Sequence, residues 1–287
     1  MARAANPRPK DPAPTNVVAA ARGRAPARHA GGWWETVKSI GGALLIFLLV
    51  RTLLVEAFRI PSPSMVPALL VGDWLFVNKL VYGPHIPFTD VNLPGYSAPS
   101  RGEVVVFESP YQEDEARTGA DPTPTLVKRL VGVPGDTLFM RGGALYVNGI
   151  AQRQGYETSS NYVGDPAIPL PTDVQVQYDW KPHTLRQSRF DAAHGPAPTQ
   201  PSLGNWGPIV VPAGLYFMMG DNRYCSKDGR YWGLVPRANL RGRPVFVYYS
   251  YRASDGSGDT RCNPDRSTRS LPAITDIRWG RIGHVIR

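Results

Sequence analysis

The chain has 287 residues, and its 32 Lys and Arg side chains outnumber 23 Asp and Glu, which gives a formal net charge of +9 at pH 7. Gly and Pro contribute 29 residues each, and this wealth of turn formers argues against a helical bundle or coiled coil and favours a mainly β chain. Hydrophobic residues make up 42% of the chain, which is enough for a core and excludes disorder throughout.

The first 30 residues are rich in Ala and Pro and show no apolar periodicity. Six basic side chains lie there against a single Asp: Arg3, Arg8, Lys10, Arg22, Arg24 and Arg28. This composition predicts a disordered basic arm over residues 1–32. Alone, such an arm suggests nucleic-acid binding, but the apolar segment after it favours a topology signal that contacts anionic lipid headgroups, with no nucleic acid as a partner.

An apolar segment long enough to span a membrane follows the arm. Its uncharged centre, Ile40–Val50, has only 11 residues, a length that also suits the core of a cleavable signal peptide. The 23 residues of Trp33–Val55 suffice for a span if Lys38 and Arg51 extend toward opposite interfaces.

The sequence therefore predicts a single-pass anchor over residues 33–56. Basic residues before a span favour a cytoplasmic amino terminus, so residues 57–287 are expected on the outer side of the membrane. The alternative is a signal peptide cut after Val55-Glu56-Ala57, and the charges of Arg51 and Glu56 beside that position argue against it.

Beyond the anchor, short apolar runs alternate with turn formers, a pattern typical of antiparallel sheets. The candidate strands are Trp74–Val77, Glu103–Phe107, Thr125–Val131, Thr137–Met140, Leu145–Val147, Ile209–Val211, Leu215–Met219 and Val245–Tyr251. Tight hairpin turns are predicted at Gly142-Gly143 and Asn148-Gly149. The stretch from Gln152 to Trp206 is polar, Pro-rich and poorly periodic, and we interpret residues 141–208 as a β-rich insertion in the exported domain.

The aromatic stretch Phe246–Tyr251 allows two interpretations. It suits an ordinary strand of the sheet, which we favour. It also suits an apolar surface that enters the membrane interface beside a catalytic site.

The predicted strand Thr125–Val131 carries two adjacent cations in an apolar pattern. Because side chains alternate along a strand, Lys128 shares a face with Leu126 and Leu130, and Arg129 lies on the other apolar face. Of the two cations only lysine loses its proton when desolvated, since arginine stays charged and needs a partner. A desolvated Lys128 is a candidate general base; the alternative is an edge-strand lysine whose amine reaches water.

Two further segments are polar, and each allows a structural and a functional interpretation. Just after the anchor, Ile60–Pro67 alternates serines with prolines, which makes a stiff, extended backbone suited to presenting a hydroxyl or to linking two parts of the chain. Gly220–Gly233 combines turn formers with both signs of charge, as in a salt-bridged surface turn or a loop that orients a catalytic group.

Taken together and in this order, these segments resemble the bacterial type I signal peptidases, or leader peptidases. IPSPSM is similar to the nucleophile box of that family, GDWLFVNK and RGEVVVFESP to the strands after it, LVKRLVGVPGD to the lysine box, and GDNRYCSKDGRYWG to the final box. The similarity covers residues 33–136 and 205–287. It implies antiparallel sheets with a catalytic β core and a β-rich extension, preceded by one transmembrane helix.

The resemblance also implies a function. A membrane-bound serine endopeptidase of the bacterial inner membrane, with its catalytic domain outside the cytoplasm, would remove signal peptides from exported preproteins at the export machinery. Membrane lipid is the second expected partner. Cleavage is expected after small residues in Ala-x-Ala-like sites.

The implied catalytic groups are two residues, each with a supporting serine. Ser64 matches the nucleophile that forms an acyl-enzyme, and Lys128 matches the general base. Ser62 matches a hydroxyl donor of the oxyanion hole, and Ser226 matches the serine that hydrogen-bonds and orients the lysine amine. No cofactor is expected, and the five histidines show no metal-ligand spacing, so no metal is expected either.

Three charged residues match positions that brace the site in the family: Arg129, Asp228 and Arg230. We expect Arg129 to pair with Asp228. The final box departs from the family at Cys225 and Gly229, where Asn and Ser are more usual, and neither position is assigned a catalytic role.

By the same resemblance, the precursor lies extended between residues 58–64 and residues 125–128 as an added strand. Shallow pockets would accept small residues one and three positions before the cut. The expected substrate-binding residues are Phe58, Ile60, Pro61, Met65, Leu69, Val106, Leu126 and Val127. Leu126 departs from the tyrosine that is frequent there.

Both cysteines lie in the part expected to be exported, so the sequence predicts a Cys225–Cys262 disulfide, with two free thiols as the alternative. Two other functions stay open. A Ser-His-Asp hydrolase is one, although no Gly-x-Ser-x-Gly elbow is present. A membrane-anchored β module that binds partners without catalysis is the other.

Overall fold

The computed structural model describes residues 33–86, 89, 91–152, 203–254, 256, 262–265, 267 and 272–287. The chain divides into two compact units, Met1–Leu44 and Leu45–Arg287. The predicted basic arm and most of the insertion lie outside the described residues, so both stay predictions.

Within the predicted anchor, residues 33–56, Trp33–Leu53 form one α-helix, α1, while Val55 and Glu56 already belong to the first strand. At 1.5 Å rise per residue its 21 residues extend roughly 30 Å, which matches the hydrocarbon core of a bilayer. Glu35 and Lys38 pair one turn apart at its start, with 3.1 Å between Nζ and Oε1. Length and composition therefore allow this helix to cross a membrane.

The remaining described chain is mainly antiparallel β, which confirms the predicted fold class. The strands are β1 Val55–Arg59, β2 Asp73–Asn78, β3 Val104–Glu108, β4 Thr125–Gly132, β5 Thr137–Arg141, β6 Ala144–Val147, β7 Ile150–Ala151, β8 Trp206–Val210, β9 Leu215–Met219, β10 Leu234–Pro236 and β11 Leu240–Ser250. One sheet has the order β1-β2-β11-β3-β4-β9-β10, and the other has the order β7-β6-β5-β8. Two short helices, α2 at Glu113–Thr118 and α3 at Gly229–Trp232, lie in connections.

Each of the eight predicted strands is found, with ends that differ by a few residues except in β11. That strand begins at Leu240 rather than Val245: Leu240 and Gly242 pair with β3, and Arg243–Ser250 pair with β2 with register shifts between Pro244 and Phe246 and between Val247 and Tyr249. The strands β1, β7 and β10 were not predicted. β1 follows the anchor without a Gly or Pro between them, so its sequence looks like the end of the helix.

Both predicted hairpin turns are confirmed. Gly142 and Gly143 have φ of 53° and 80°, and Asn148 and Gly149 have φ of 53° and 82°. Positive φ at both central residues is what a type I′ turn requires. The first turn joins β5 to β6 and the second joins β6 to β7, both in the four-stranded sheet.

Three hydrophobic clusters contain residues of the seven-stranded sheet, and the third, with Val131 and Met219, also includes Leu138 and Leu145 of the four-stranded sheet. The first cluster consists of Ile60, Met65, Leu69, Leu75, Val77, Val104, Val106 and Val247. The second cluster consists of Val81, Tyr82, Val105, Phe107, Leu130, Tyr216, Met218, Trp232, Val235 and Leu240. Since β4 contributes Val127 to the first and Leu130 to the second, it lies between them, and its middle is shielded from water.

The aromatic stretch Phe246–Tyr251 lies in β11 as far as Ser250, as favoured, and Tyr251 forms an isolated bridge with Ile277. Val247 is fully buried in the first cluster, while Phe246 and Tyr248 are half-buried on the other face of β11. There Tyr248 stacks on Phe76 of β2 with 4.3 Å between ring centroids, and Phe246 lies 5.5 Å from the same ring. The stretch thus stabilises the β2–β11 pair.

Candidate active site

Ser64 and Lys128 meet in the interior of the larger unit. Ser64 lies in a 3-10 turn, Pro63–Met65, whose three residues are all buried, and Lys128 lies in the middle of β4. The distance between Lys128 Nζ and Ser64 Oγ is 2.7 Å, and only 3% and 6% of the two residues are exposed. The structure therefore places the amine against the hydroxyl rather than in water, and the alternative of a solvated edge lysine is wrong.

The interior lowers the proton affinity of this lysine. Burial lowers the pKa of Lys128 to about 8, while the carboxylates of Asp228 and Asp221 keep it from falling further and the Arg230 guanidinium opposes them. With that pKa, roughly a tenth of the amine is neutral at pH 7 and about half is neutral at pH 8. A neutral amine at hydrogen-bond distance from a buried hydroxyl is able to accept its proton.

The loop after β9, residues 220–228, packs on the Pro63–Met65 turn that contains Ser64. We call this loop the catalytic loop and the Pro63–Met65 turn the nucleophile turn. The Asn222 N–H donates to the Ser64 carbonyl at 3.1 Å. A Cβ added to Gly220 would lie 2.4 Å from that carbonyl oxygen and 2.2 Å from Ser226 Oγ, so only glycine permits the loop to approach this closely. Gly220 and Asn222 were not singled out from the sequence, because no local pattern shows which backbone the loop contacts.

Arg129 and Asp221 form a buried, bidentate ion pair. Arg129 Nε and Nη2 lie 2.7 and 2.6 Å from the two carboxylate oxygens of Asp221, and the two side chains are 1% and 0% exposed. The expected pairing of Arg129 with Asp228 is therefore wrong. The register explains the difference, because Arg129 lies opposite Met219 across the β4–β9 ladder and Asp221 follows Met219 by two positions.

Asp228 pairs instead with Arg230. Its carboxylate caps α3 by accepting from the Arg230 N–H, and it also receives the Arg230 guanidinium and the Gly220 N–H. Burial alone would raise the pKa of Asp228, but the Arg230 charge and these hydrogen bonds hold that pKa below its usual value. The carboxylate thus stays ionised and contributes a fixed negative charge near Lys128.

The two supporting serines differ in their contacts. Ser62 Oγ lies 3.3 Å from Ser64 Oγ, on the exposed side of the nucleophile turn. Ser226 is buried, and its hydroxyl oxygen meets no hydrogen-bond partner among the described residues. The expected hydrogen bond between Ser226 and the Lys128 amine is not found among the described residues, where the Ser226 hydroxyl lies close to Gly220.

The predicted substrate-binding residues fall into two groups. Six of them pack in or against the first cluster: Phe58, Ile60, Met65, Leu69, Val106 and Val127. Leu126 packs against the second cluster instead, and Pro61 is exposed. Because neighbours on a strand point to opposite faces, Leu126 cannot line the same wall as Val127.

Two strand edges near the nucleophile are open within the described chain. β1 is the terminal strand of the large sheet, and β9 pairs with β4 only from Arg129 onward. Leu130 exchanges hydrogen bonds with the β3 side, so even-numbered residues of β4 face β3. Thr125 and Val127 therefore direct their backbone groups to the open side, where an extended peptide can pair.

Cys225 of the catalytic loop is joined to Cys262 by a disulfide. This bond joins the segment at residue 262 to the catalytic loop, whose Asn222 N–H donates to the Ser64 carbonyl. Within the described residues, no group of three or more His, Cys, Asp or Glu side chains is placed to hold a metal ion.

Comparison with known proteins gives consistent matches. Residues 33–249 match the family described as signal peptidase, peptidase S26. A signal peptidase I of Pseudomonas aeruginosa is 35% identical over 258 residues, which cover 85% of this chain and 78% of the relative. Another, from Pseudomonas fluorescens, is 36% identical over 232 residues, which cover 76% and 72%. A third, from Aquifex aeolicus, is 29% identical over 272 residues, which cover 84% and 93%.

Proposed function

The chain belongs to the signal peptidase family, peptidase S26, and we propose that it removes signal peptides from preproteins with a Ser64–Lys128 dyad through an acyl-enzyme. The observation that carries the proposal is the buried 2.7 Å contact between Lys128 Nζ and Ser64 Oγ. Neither described histidine, His85 nor His284, hydrogen-bonds to Ser64, which argues against a Ser-His-Asp triad.

Acylation uses the neutral form of Lys128. Its amine accepts the Ser64 hydroxyl proton as Oγ attacks the scissile carbonyl, and the resulting ammonium then donates that proton to the leaving amine. The carbonyl–nitrogen bond breaks, the mature protein leaves, and the signal peptide stays esterified to Ser64. In deacylation the same amine, again neutral, takes a proton from water as the hydroxide attacks the ester carbonyl. The ester bond to Ser64 Oγ then breaks, the ammonium returns the proton to that oxygen, and the signal peptide leaves with a free carboxylate.

The precursor is proposed to bind as a strand between β1 and the open part of β4. The backbone groups of Thr125 and Val127 would pair with it, and side chains of the first cluster would form shallow apolar pockets. Because Ile60, Met65 and Val106 are already packed, little room is left for a large residue next to the cut. The resemblance to the family implies small residues such as Ala at the first and third positions before the cut, and that crowding is compatible with them.

The oxyanion hole is proposed to consist of the Ser62 hydroxyl and the Ser64 N–H. We expect Ser62→Ala to lower kcat about 10²–10³-fold with little change in KM, the effect typical of losing one oxyanion donor. Steady-state cleavage of a precursor peptide measures both constants. Ser97→Ala, which removes a surface hydroxyl bonded to Ala98, is the matched control and should retain wild-type kcat. A Ser62→Ala enzyme with unchanged kcat would remove Ser62 from the mechanism.

We propose that α1 anchors the enzyme in the bacterial inner membrane as a single pass. Six basic side chains precede the helix, which favours a cytoplasmic amino terminus and a catalytic unit on the opposite side. Its partners would then be membrane lipid and the precursors that emerge from the export machinery.

Cleavage of a defined precursor tests this function. Purified wild-type protein in detergent is incubated with a precursor that carries an Ala-x-Ala site, and mass spectrometry identifies the new amino terminus. We expect a cut directly after the last Ala, and no cut when that Ala is replaced by Trp. Intact precursor in every case, with several precursors tried, would support a binding module without catalysis instead.

A further inference from the structure

The side chain of Asn222 joins three separate parts of the active site. Its Nδ2 donates to the carbonyl of Pro63 at 3.2 Å and to the carbonyl of Cys262 at 3.4 Å, and its Oδ1 accepts from the Cys225 N–H at 3.3 Å. The residue is 5% exposed, so these bonds form away from water and depend on the position of the amide.

Asn222 thereby helps to fix the backbone on both sides of the nucleophile, where the Val66 N–H also donates to the Pro63 carbonyl at 3.1 Å. The Asn222 N–H donates to the Ser64 carbonyl, and its side chain donates to the Pro63 carbonyl. The Pro63–Ser64 peptide is trans, so its C=O and N–H point in opposite directions. Holding the Pro63 oxygen therefore also sets the direction of the Ser64 N–H, the backbone donor proposed for the oxyanion hole.

The two residues of the disulfide supply the other contacts of this amide. Cys225 supplies the N–H that binds Oδ1, and Cys262 supplies a carbonyl that binds Nδ2. The Cys225–Cys262 bond links these two residues covalently. Both edges of the amide thus contact residues whose separation is fixed, which restricts the rotation of the Asn222 side chain.

We propose that Asn222, held by the Cys225–Cys262 disulfide, is a positioning residue that directs the Ser64 N–H toward the oxyanion of the tetrahedral intermediate. The proposal rests on the proposed peptidase function. Asn222 itself does not touch the substrate. Its effect falls on the transition state, in which the oxyanion forms, and spares the binding of the precursor.

Kinetics of Asn222→Ala test the proposal. We expect kcat to fall about 10–100-fold, part of the loss for a whole donor, with KM within about twofold of wild type. The pH at which kcat is half-maximal should not move, since the burial of Lys128 is unchanged. Asn239→Ala is the matched control, because the Asn239 amide also donates to a backbone carbonyl, that of Glu108, outside the site. It should retain wild-type kcat.

A double-mutant cycle separates positioning from a general loss of structure. If Asn222 and Ser62 serve one oxyanion hole, the double variant should lose less activity than the product of the two single losses. Independent, multiplicative losses, a shifted pH midpoint or a wild-type kcat in Asn222→Ala would each overturn the proposal.

The paired variant Cys225→Ser/Cys262→Ser gives a second test that leaves Asn222 in place. Near-UV circular dichroism checks that it is folded. We expect a fall in kcat in the same direction at unchanged KM, and little further loss when Asn222→Ala is added. A wild-type kcat in the folded variant would overturn the role of the disulfide. Failure of the peptidase function itself would look different, because the wild type would then leave precursors intact or Lys128→Ala would still cleave them.

Discussion

Replacing Lys128 with Ala is expected to lower kcat/KM for precursor cleavage by about 10³-fold or more. The amine is the group at hydrogen-bond distance from Ser64 Oγ that is able to accept a proton near neutral pH. Without it the hydroxyl stays protonated and is a weak nucleophile. Ser64→Ala should be equally inactive, and the double variant should be no worse than either single one, because the two groups act as one unit.

Cleavage assays on folded, purified variants measure this effect. Lys79→Ala is the matched control, since Lys79 is also a largely buried lysine but pairs with Glu56 outside the site. It should cleave at close to the wild-type rate. Residual activity of Lys128→Ala within tenfold of wild type would show that another base activates the serine and would return a histidine-based triad to consideration.

The second large effect is expected on stability. Asp221→Asn keeps the shape of the side chain but leaves the buried Arg129 guanidinium without its carboxylate. Removing one partner of a buried ion pair costs about 3–5 kcal/mol, because the other charge stays desolvated and uncompensated. For a domain of this size that corresponds to a fall in Tm of roughly 6–20 °C.

Thermal unfolding followed by circular dichroism measures this change. Glu113→Gln breaks the exposed pair between Glu113 and Arg117 and serves as the control, with an expected change of less than about 1 kcal/mol. A Tm of Asp221→Asn equal to that of the control would show that the Arg129–Asp221 pair contributes little to the fold.

Much of the fold follows from periodicity and turn chemistry. Alternating apolar residues and paired turn formers such as Asn148-Gly149 predict β5, β6 and the hairpin between them. The strand β1 could not be predicted from the sequence. It has only five residues and follows an apolar helix closely, so the sequence shows no change from helical to strand periodicity there. Its place at the edge of the large sheet depends on pairing with β2, which is a tertiary contact.

Apolar residues on both faces of β4 predict that at least one of its two cations lies against a core, but spacing alone favours an edge lysine whose amine reaches water, so the pattern did not predict the burial of Lys128. The same alternation already separates Leu126 from Val127, so the sequence itself argues against a common wall for both. The partner of Arg129 was not predictable, because it depends on the register between β4 and β9. Ser64 lies 64 positions from Lys128, and only the ordered resemblance to a family brings the two together before the structure does.

The pH dependence of cleavage tests the central claim, a neutral Lys128 as general base, most directly. Activity requires the unprotonated amine, so kcat/KM should rise with pH through a midpoint near the pKa of Lys128, about 8. The Asp221 carboxylate raises this pKa, so Asp221→Asn should move the midpoint to lower pH. A midpoint near 6.5, typical of histidine, that stays in place in Asp221→Asn would contradict the account.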